Sequence, residues 1–231
     1  MATLSHCRMT QPHGQVIRPT LYFSRNPNPR LAVAVARYLD APVAFEFAAP
    51  FDPAQSERFR KLNPNLSIPI LVEDGAEPLW EADAIACRLS QMTGSDFWRV
   101  GAELPDMIRW LSWAKGNFVQ ACDMVHFERG TKQRYGHGPV DQAKVAEGTA
   151  LFHDSAKVLD AHLSTHDFLV ASGVSYADFR AACFLPFNSV ARLPLDDYPA
   201  IVAWAARLDA LAAWSDPFVG LTAPELPPIP A

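Results

Sequence analysis

Several large protein classes need things that this sequence lacks. There is no basic excess: 20 Lys and Arg stand against 25 Asp and Glu, giving a net charge of −5 and an isoelectric point near 5.8. That leaves no positive footprint for a phosphate backbone and argues against a nucleic-acid partner. Nothing approaches the roughly 18 consecutive apolar residues of a membrane-spanning helix. The first nineteen residues, ending at Pro19, lack the continuous apolar core that secretion requires and are expected to form a loose extension. Cysteine is scarce and scattered: Cys7, Cys87, Cys122 and Cys183 form no Cys-x-x-Cys pair. They read as reduced thiols of a cytoplasmic protein. His162 and His166 lie four apart, but Ser164 and Thr165 signal a helix end and no carboxylate–histidine motif accompanies them, so a metal site is not expected. No internal repeat is visible.

What remains is a globular composition, 49% hydrophobic and 19% charged over 231 residues. That is enough chain for one large domain or two small ones. The first part alternates element types. Residues 20–24 (TLYFS) read as a short buried strand, and residues 29–39 as a helix with Pro29 in its first turn. Residues 43–48 (VAFEFA) alternate with period two, as a strand does. A short polar helix over 53–62 follows, then two strands over 68–72 and 78–80, then a helix from Glu81 to Met92. From residue 104 the pattern is helical only, over 104–129, 140–163, 175–191 and 198–213. Residues 126–138 (HFERGTKQRYGHG) read as a solvated helix end and loop. Trp110, Trp113, Phe118, Met124 and Phe127 form an apolar stripe whose default role is core packing. The proline-rich tail (PELPPIPA) is expected to lie extended across the surface. Periodicity thus predicts an α/β domain over 20–93, a linker over 94–103 and an all-α helical domain over 104–231.

One segment, residues 63–85 (NPNLSIPILVEDGAEPLWEADAI), carries most of the functional signal. It reads as two paired strands joined at Asp74-Gly75. Pro69 sits where a central strand should have a donor, which fits either an edge strand or a cis peptide bond. A cis bond would turn the N–H and C=O of Ile68 sideways, available to an extended peptide. Glu81, at the helix start, either complements the helix dipole or grips an ammonium while the first N–H groups of the helix hold a carboxylate.

The element order, the Ile68-Pro69 step and the Glu81-Ala-Asp-Ala-Ile85 run together resemble the glutathione transferases. In that family a thioredoxin-like domain carries the glutathione site and an all-helical domain completes it. A second match lies in Gly173-Val-Ser175-Tyr-Ala-Asp178-Phe, which is similar to the family's N-capping box, a structural device linking Ser175 and Asp178. The resemblance implies that Pro69 is cis, that Ile68 pairs with the cysteinyl backbone of glutathione, and that Glu81 with Ala82 holds the γ-glutamyl head. It also implies a homodimer and an apolar electrophile as the second substrate, with no metal.

Family members stabilise the glutathione thiolate with a donor placed after the first strand. Here that region is Leu21-Tyr-Phe-Ser24-Arg-Asn26-Pro-Asn28-Pro-Arg30. Asn28 is the first candidate and Ser24 the second, while Tyr22 aligns less cleanly; plain helix capping is the other role open to Asn28. Two departures stand out. Ala82 replaces the family's Ser or Thr, and Ser67 stands where a basic or amidic residue commonly contacts the glycyl carboxylate, with Arg58, Arg60 or Lys61 as substitutes. They keep a second function open, a non-catalytic interaction module built on the same fold.

Overall fold

The computed structural model describes residues 18–230. The extension expected over 1–19 lies outside them as far as residue 17, and so does Cys7. Strands β1 (Thr20–Phe23), β2 (Ala44–Phe47), β3 (Ile70–Val72) and β4 (Leu79–Trp80) form one sheet in the order β2-β1-β3-β4. β1 and β2 are parallel, while β1–β3 and β3–β4 are antiparallel. Three helices complete this half: α1 (Pro27–Tyr38), α2 (Pro53–Leu62) and α3 (Ala82–Thr93). Pro27 and Pro29 occupy the first turn of α1, where the missing N–H has no intrahelical partner to lose. Asp52 caps α2, its carboxylate accepting from the Ala54 N–H at 2.9 Å. Gly94, at φ 68°, ends α3 in the left-handed conformation open to glycine.

Side-chain alternation gives the sheet two unlike faces. Leu21, Phe23 and Leu71 join the main core with α1 and α3. Tyr22 and Ile70 point the other way, into a small cluster with Ala48 and Phe59 beneath α2.

The remaining elements are helical: α4 (Leu104–Gly116), α5 (Phe118–His126), a π-helical segment (Phe127–Thr131), α6 (Lys132–Arg134), α7 (Gln142–Leu163), α8 (Tyr176–Ala181), α9 (Asn188–Ala191), α10 (Pro199–Asp209) and α11 (Ala212–Ser215). Three expected long helices are therefore broken. The one over 104–129 is interrupted at Asn117 (φ −132°, ψ −91°). The one over 175–191 stops at Ala181, and a 3₁₀ turn over Leu185–Phe187, containing Pro186, precedes α9. The one over 198–213 pauses between α10 and α11. The expected solvated helix end and loop over 126–138 is corrected in its first part, because His126 and Glu128 are both 2% exposed, while residues 135–138 form an exposed loop as expected. Glu128 is satisfied in place by Lys132 Nζ at 2.8 Å and the Asp141 N–H at 2.9 Å.

The main core runs without a break from the sheet into the helical half, through Phe97, Trp110, Phe118, Phe152, Phe179 and Trp204. The connecting segment is part of it. Phe97 packs on Tyr38 and Phe179, with ring centroids 4.7 and 5.0 Å apart. Its carbonyl accepts the Tyr176 N–H at 3.0 Å, and Arg99 donates to the carbonyls of Gly173 and Val174 at 3.0 and 2.9 Å. The expected capping box closes at the start of α8. The Ser175 N–H donates to Asp178 Oδ2 at 2.9 Å; the Ser175 hydroxyl also lies 3.1 Å from that oxygen, a contact the simple form of the box does not contain.

Helices α5 and α7 approach most tightly at Gly148, where a Cβ would lie 2.8 Å from Val125 Cγ2 and 3.1 Å from Met124 Sδ. We expect Gly148→Ala to lower stability by about 1–2 kcal/mol. Overpacking of about 1–3 kcal/mol outweighs the gain of about 1 kcal/mol in helix propensity. Urea denaturation checks this, and a stabilised variant would contradict it. The extended tail crosses the surface as anticipated: Arg25 pairs with Glu225 at 2.9 Å, and Arg134 Nε donates to the Pro227 carbonyl at 3.0 Å.

Candidate functional site

Strand register gathers the predicted site residues at one end of the sheet. Tyr22 faces Ile70 across β1–β3, and Ile70 faces Trp80 across β3–β4. Hence the segment leaving β1 (Ser24 to Asn28), the segment entering β3 (Ile68-Pro69) and the segment leaving β4 (Glu81-Ala82) emerge side by side. The Ile68–Pro69 peptide bond is cis. Ile68 lies outside the strand ladder, and neither its N–H nor its C=O takes a backbone partner among the described residues.

Glu81 is the N-cap of α3 and holds a positive φ of 74°. This backbone state is costly for a residue with a Cβ, and such outliers cluster at ligand sites. Its side chain is exposed and makes no capping bond. The helix ladder begins with Ile85 N–H to the Glu81 carbonyl at 3.0 Å, so the N–H groups of Ala82, Asp83 and Ala84 have no intrahelical acceptor. An exposed carboxylate beside a row of unused N–H groups suits a zwitterionic amino-acid head group.

Ser24 is buried, and its hydroxyl oxygen accepts from the Asn26 N–H and Nδ2 at 3.4 and 3.2 Å. Its own proton has no acceptor among the described residues. The N-cap of α1 is Asn26, which removes the capping role left open for Asn28. Asn28 instead reaches across to the helical half, where its Oδ1 accepts from Arg180 Nη1 at 2.6 Å. Tyr22 is not brought here. Its hydroxyl lies on the α2 face, accepting from Arg58 Nη2 at 2.7 Å.

Sequence reasoning missed the charged cluster beneath this end of the sheet. Arg180 Nε lies 3.5 Å from Asp83 Oδ1. The same oxygen accepts from the Tyr176 hydroxyl at 2.6 Å, and Lys115 Nζ sits 2.9 Å from Asp83 Oδ2. Burial works against the Asp83 charge, yet Arg180, Tyr176 and Lys115 outweigh it and hold the carboxyl below its ordinary value. Asp83 lay inside the quoted Glu81–Ile85 run, but nothing in the sequence pairs it with Arg180.

Of the proposed substitutes for the residue at Ser67, Arg58 is engaged by Tyr22 and by Glu46 at 3.0 Å, and Lys61 lies 3.6 Å from Glu57. Ser67 is itself held by Asn63 Nδ2, 3.0 Å from its hydroxyl. None of the described cysteines offers an activated thiol. Burial raises Cys87, raises Cys122 well above its usual value, and pushes Cys183 up to about 11. No group of three metal-ligating side chains occurs among the described residues.

Residues 124–212 match the family model of the glutathione S-transferase C-terminal domain. The chain has the glutathione transferase fold. Its similarity to solved structures spans both halves. A maize glutathione S-transferase I in complex with an atrazine–glutathione conjugate superposes with a TM-score of 0.79 at 18% identity, covering 88% of this chain and 97% of that one. A glutathione transferase family member from Pseudomonas fluorescens, with two glutathione bound, gives 0.75 at 19%, covering 87% and 92%. FzlA from C. crescentus gives 0.78 at 22%, covering 92% and 96%. No curated protein matches this sequence. The fold so identified is a thioredoxin-like domain followed by an all-helical one, in agreement with the resemblance stated above, and no described helix is long and apolar enough to cross a membrane.

Proposed function

We propose that this chain is a glutathione transferase-like enzyme of the cytoplasm, working as a homodimer. It would bind glutathione at the sheet end formed by Ile68-Pro69 and Glu81-Ala82. The observation that carries this reading is the strand register, which sets a donor loop, an unpaired strand entrance and an open helix start side by side. Glu81 takes the γ-glutamyl ammonium and the Ala82 N–H its carboxylate, while the backbone of Ile68 pairs with the cysteinyl residue. Asn28 Nδ2 or the Ser24 hydroxyl donates to the sulfur, which raises the thiolate population near neutrality. The thiolate then attacks an apolar electrophile against the helical domain, its sulfur forming the new bond as the electrophile's leaving group departs. A thiol-dependent reduction is the other use of the same site.

A specific observation keeps the non-catalytic module as the second reading. Arg58, Lys61 and Ser67 all have partners within the protein, which leaves Arg60 as the substitute for the glycyl end, and Ala82 has no hydroxyl, so the head group forgoes a contact.

Calorimetric titration with glutathione and turnover of chlorodinitrobenzene separate the two. We expect Glu81→Gln to weaken glutathione about ten- to a hundredfold, the value of one charge-assisted bond. We expect Asn28→Ala to lower turnover about a hundredfold with binding little changed. Absence of wild-type binding at millimolar glutathione would favour the module.

A further inference from the structure

We infer that Arg180 is a positioning residue for this site: it fixes the Asn28 carboxamide with Nδ2 turned to the bound sulfur. This rests on the glutathione reading above and names how its donor is set.

The argument begins with hydrogen-bond chemistry. A guanidinium donates and never accepts, so the atom of Asn28 that meets Arg180 Nη1 at 2.6 Å must be the carbonyl oxygen. The two N–H bonds of Nδ2 then lie on the other branch of the planar amide, away from Arg180. Asn28 is exposed, so that branch faces the open end of the sheet rather than the core. An asparagine free to flip would offer oxygen to the sulfur half of the time, and oxygen repels a thiolate. With Arg180 behind it, only the donor face is presented.

Arg180 is itself held in place. Arg180 is 8% exposed and rooted in α8. Its Nε is buried with no hydrogen-bond partner, and its Nη2, also without one, is not among the enclosed atoms. The groups around it are Asp83 and Glu81 at the start of α3, Lys115 on α4, Asp123 on α5, and Tyr176 and Cys183 beside it. Asp83 is shared with Lys115 and Tyr176. Asp83, Glu81 and Asp123 offset the charges of Arg180 and Lys115, so Arg180 acts here through its hydrogen bond to Asn28 rather than through a free charge. A thiolate bound in front would meet a fixed donor.

The test follows the thiolate ultraviolet absorbance of the protein–glutathione complex against pH, in wild type, Asn28→Ala, Arg180→Met and Arg180→Lys. Glutathione affinity is measured separately by calorimetry. Arg180→Met is expected to raise the midpoint of the bound thiol by about one unit or more, a roughly tenfold loss of thiolate at fixed pH, while affinity changes less than about threefold. Adding Asn28→Ala to it should produce little further shift, because both act through one donor. Arg180→Lys keeps the charge and loses the rigid fork, so it should fall between. A midpoint unchanged in either Arg180 variant that still binds glutathione overturns the proposal. Should Arg180→Met fail to fold, Arg180→Lys decides. A wild type that does not bind glutathione defeats the glutathione reading and this inference with it. Binding with an unmoved midpoint defeats the inference alone.

Discussion

Asp178→Asn is expected to cost about 2–3 kcal/mol of stability. The carboxylate is fully buried and each oxygen serves two donors. Oδ2 accepts from the Ser175 N–H and hydroxyl at 2.9 and 3.1 Å. Oδ1 accepts from the Leu169 N–H at 2.9 Å and Trp204 Nε1 at 3.0 Å. Asparagine has the same shape but only one acceptor oxygen. With the NH₂ group towards Leu169 and Trp204, both of those donors are left buried without a partner; turned the other way, the Ser175 hydroxyl rotates to accept from it and only the Ser175 N–H is orphaned, at about 1–3 kcal/mol per orphaned donor. Three stretches of chain meet at this anchor: the loop before α8, α8 itself and α10. A shift in the urea midpoint with unchanged slope measures it. A loss below about 1 kcal/mol would show that the four donors find other acceptors.

The second large effect is a loss of stability in mild acid, traced to His126. Its ring packs on Phe184 and Phe187, with centroids 5.5 and 5.3 Å away, and its Nε2 is enclosed without a partner. Burial, reinforced by Arg134, lowers the imidazole to about 4 from an ordinary 6.5. Above the ordinary value the ring is neutral in both folded and unfolded chains, and it adds no pH dependence. As pH falls from about 6.5 towards 4, the unfolded chain takes up a proton that the folded one refuses. Unfolding is favoured progressively, by about 3 kcal/mol once the lower value is passed. Carboxylates titrate in part of this window, so the decisive measurement is a difference. His126→Leu, which has no titrating group and no unmet acceptor, should lose less stability than wild type between neutral pH and pH about 4. Parallel pH profiles for the two proteins would contradict this account.

These two residues also mark what could be read in the sequence and what could not. Asp178 was legible because a capping box is local: four residues fix the geometry, whatever surrounds them. The strands, the turn at Asp74-Gly75 and the order of elements up to α3 were legible for the same reason, since period two and proline or glycine punctuation act over a few residues. His126 was not. Residues 126–138 are polar and end in glycine, which normally means solvent. The end of α5 carries His126 inward and the π-helical turn after it carries Glu128 inward instead, and Glu128 is neutralised by Lys132 one turn later. The break at Asn117 was hidden because the apolar stripe continues across it. At the candidate site, the loop after β1 and the run after β4 could be quoted in advance, whereas Arg180 could not. It meets Asn28 across 152 positions of chain, and no periodicity reaches that far.

The unequal faces of the sheet have a consequence for how the molecule can vary. α2 contributes one buried side chain, Phe59, and the partly buried Leu62 to its small cluster, and its other ties run through Arg58 to the Tyr22 hydroxyl and to Glu46 near the surface, the ion pair a weak hold. That side of the sheet can be rewritten with little penalty to the body of the molecule. The opposite face, continuous with the core of the helical half, has no such latitude.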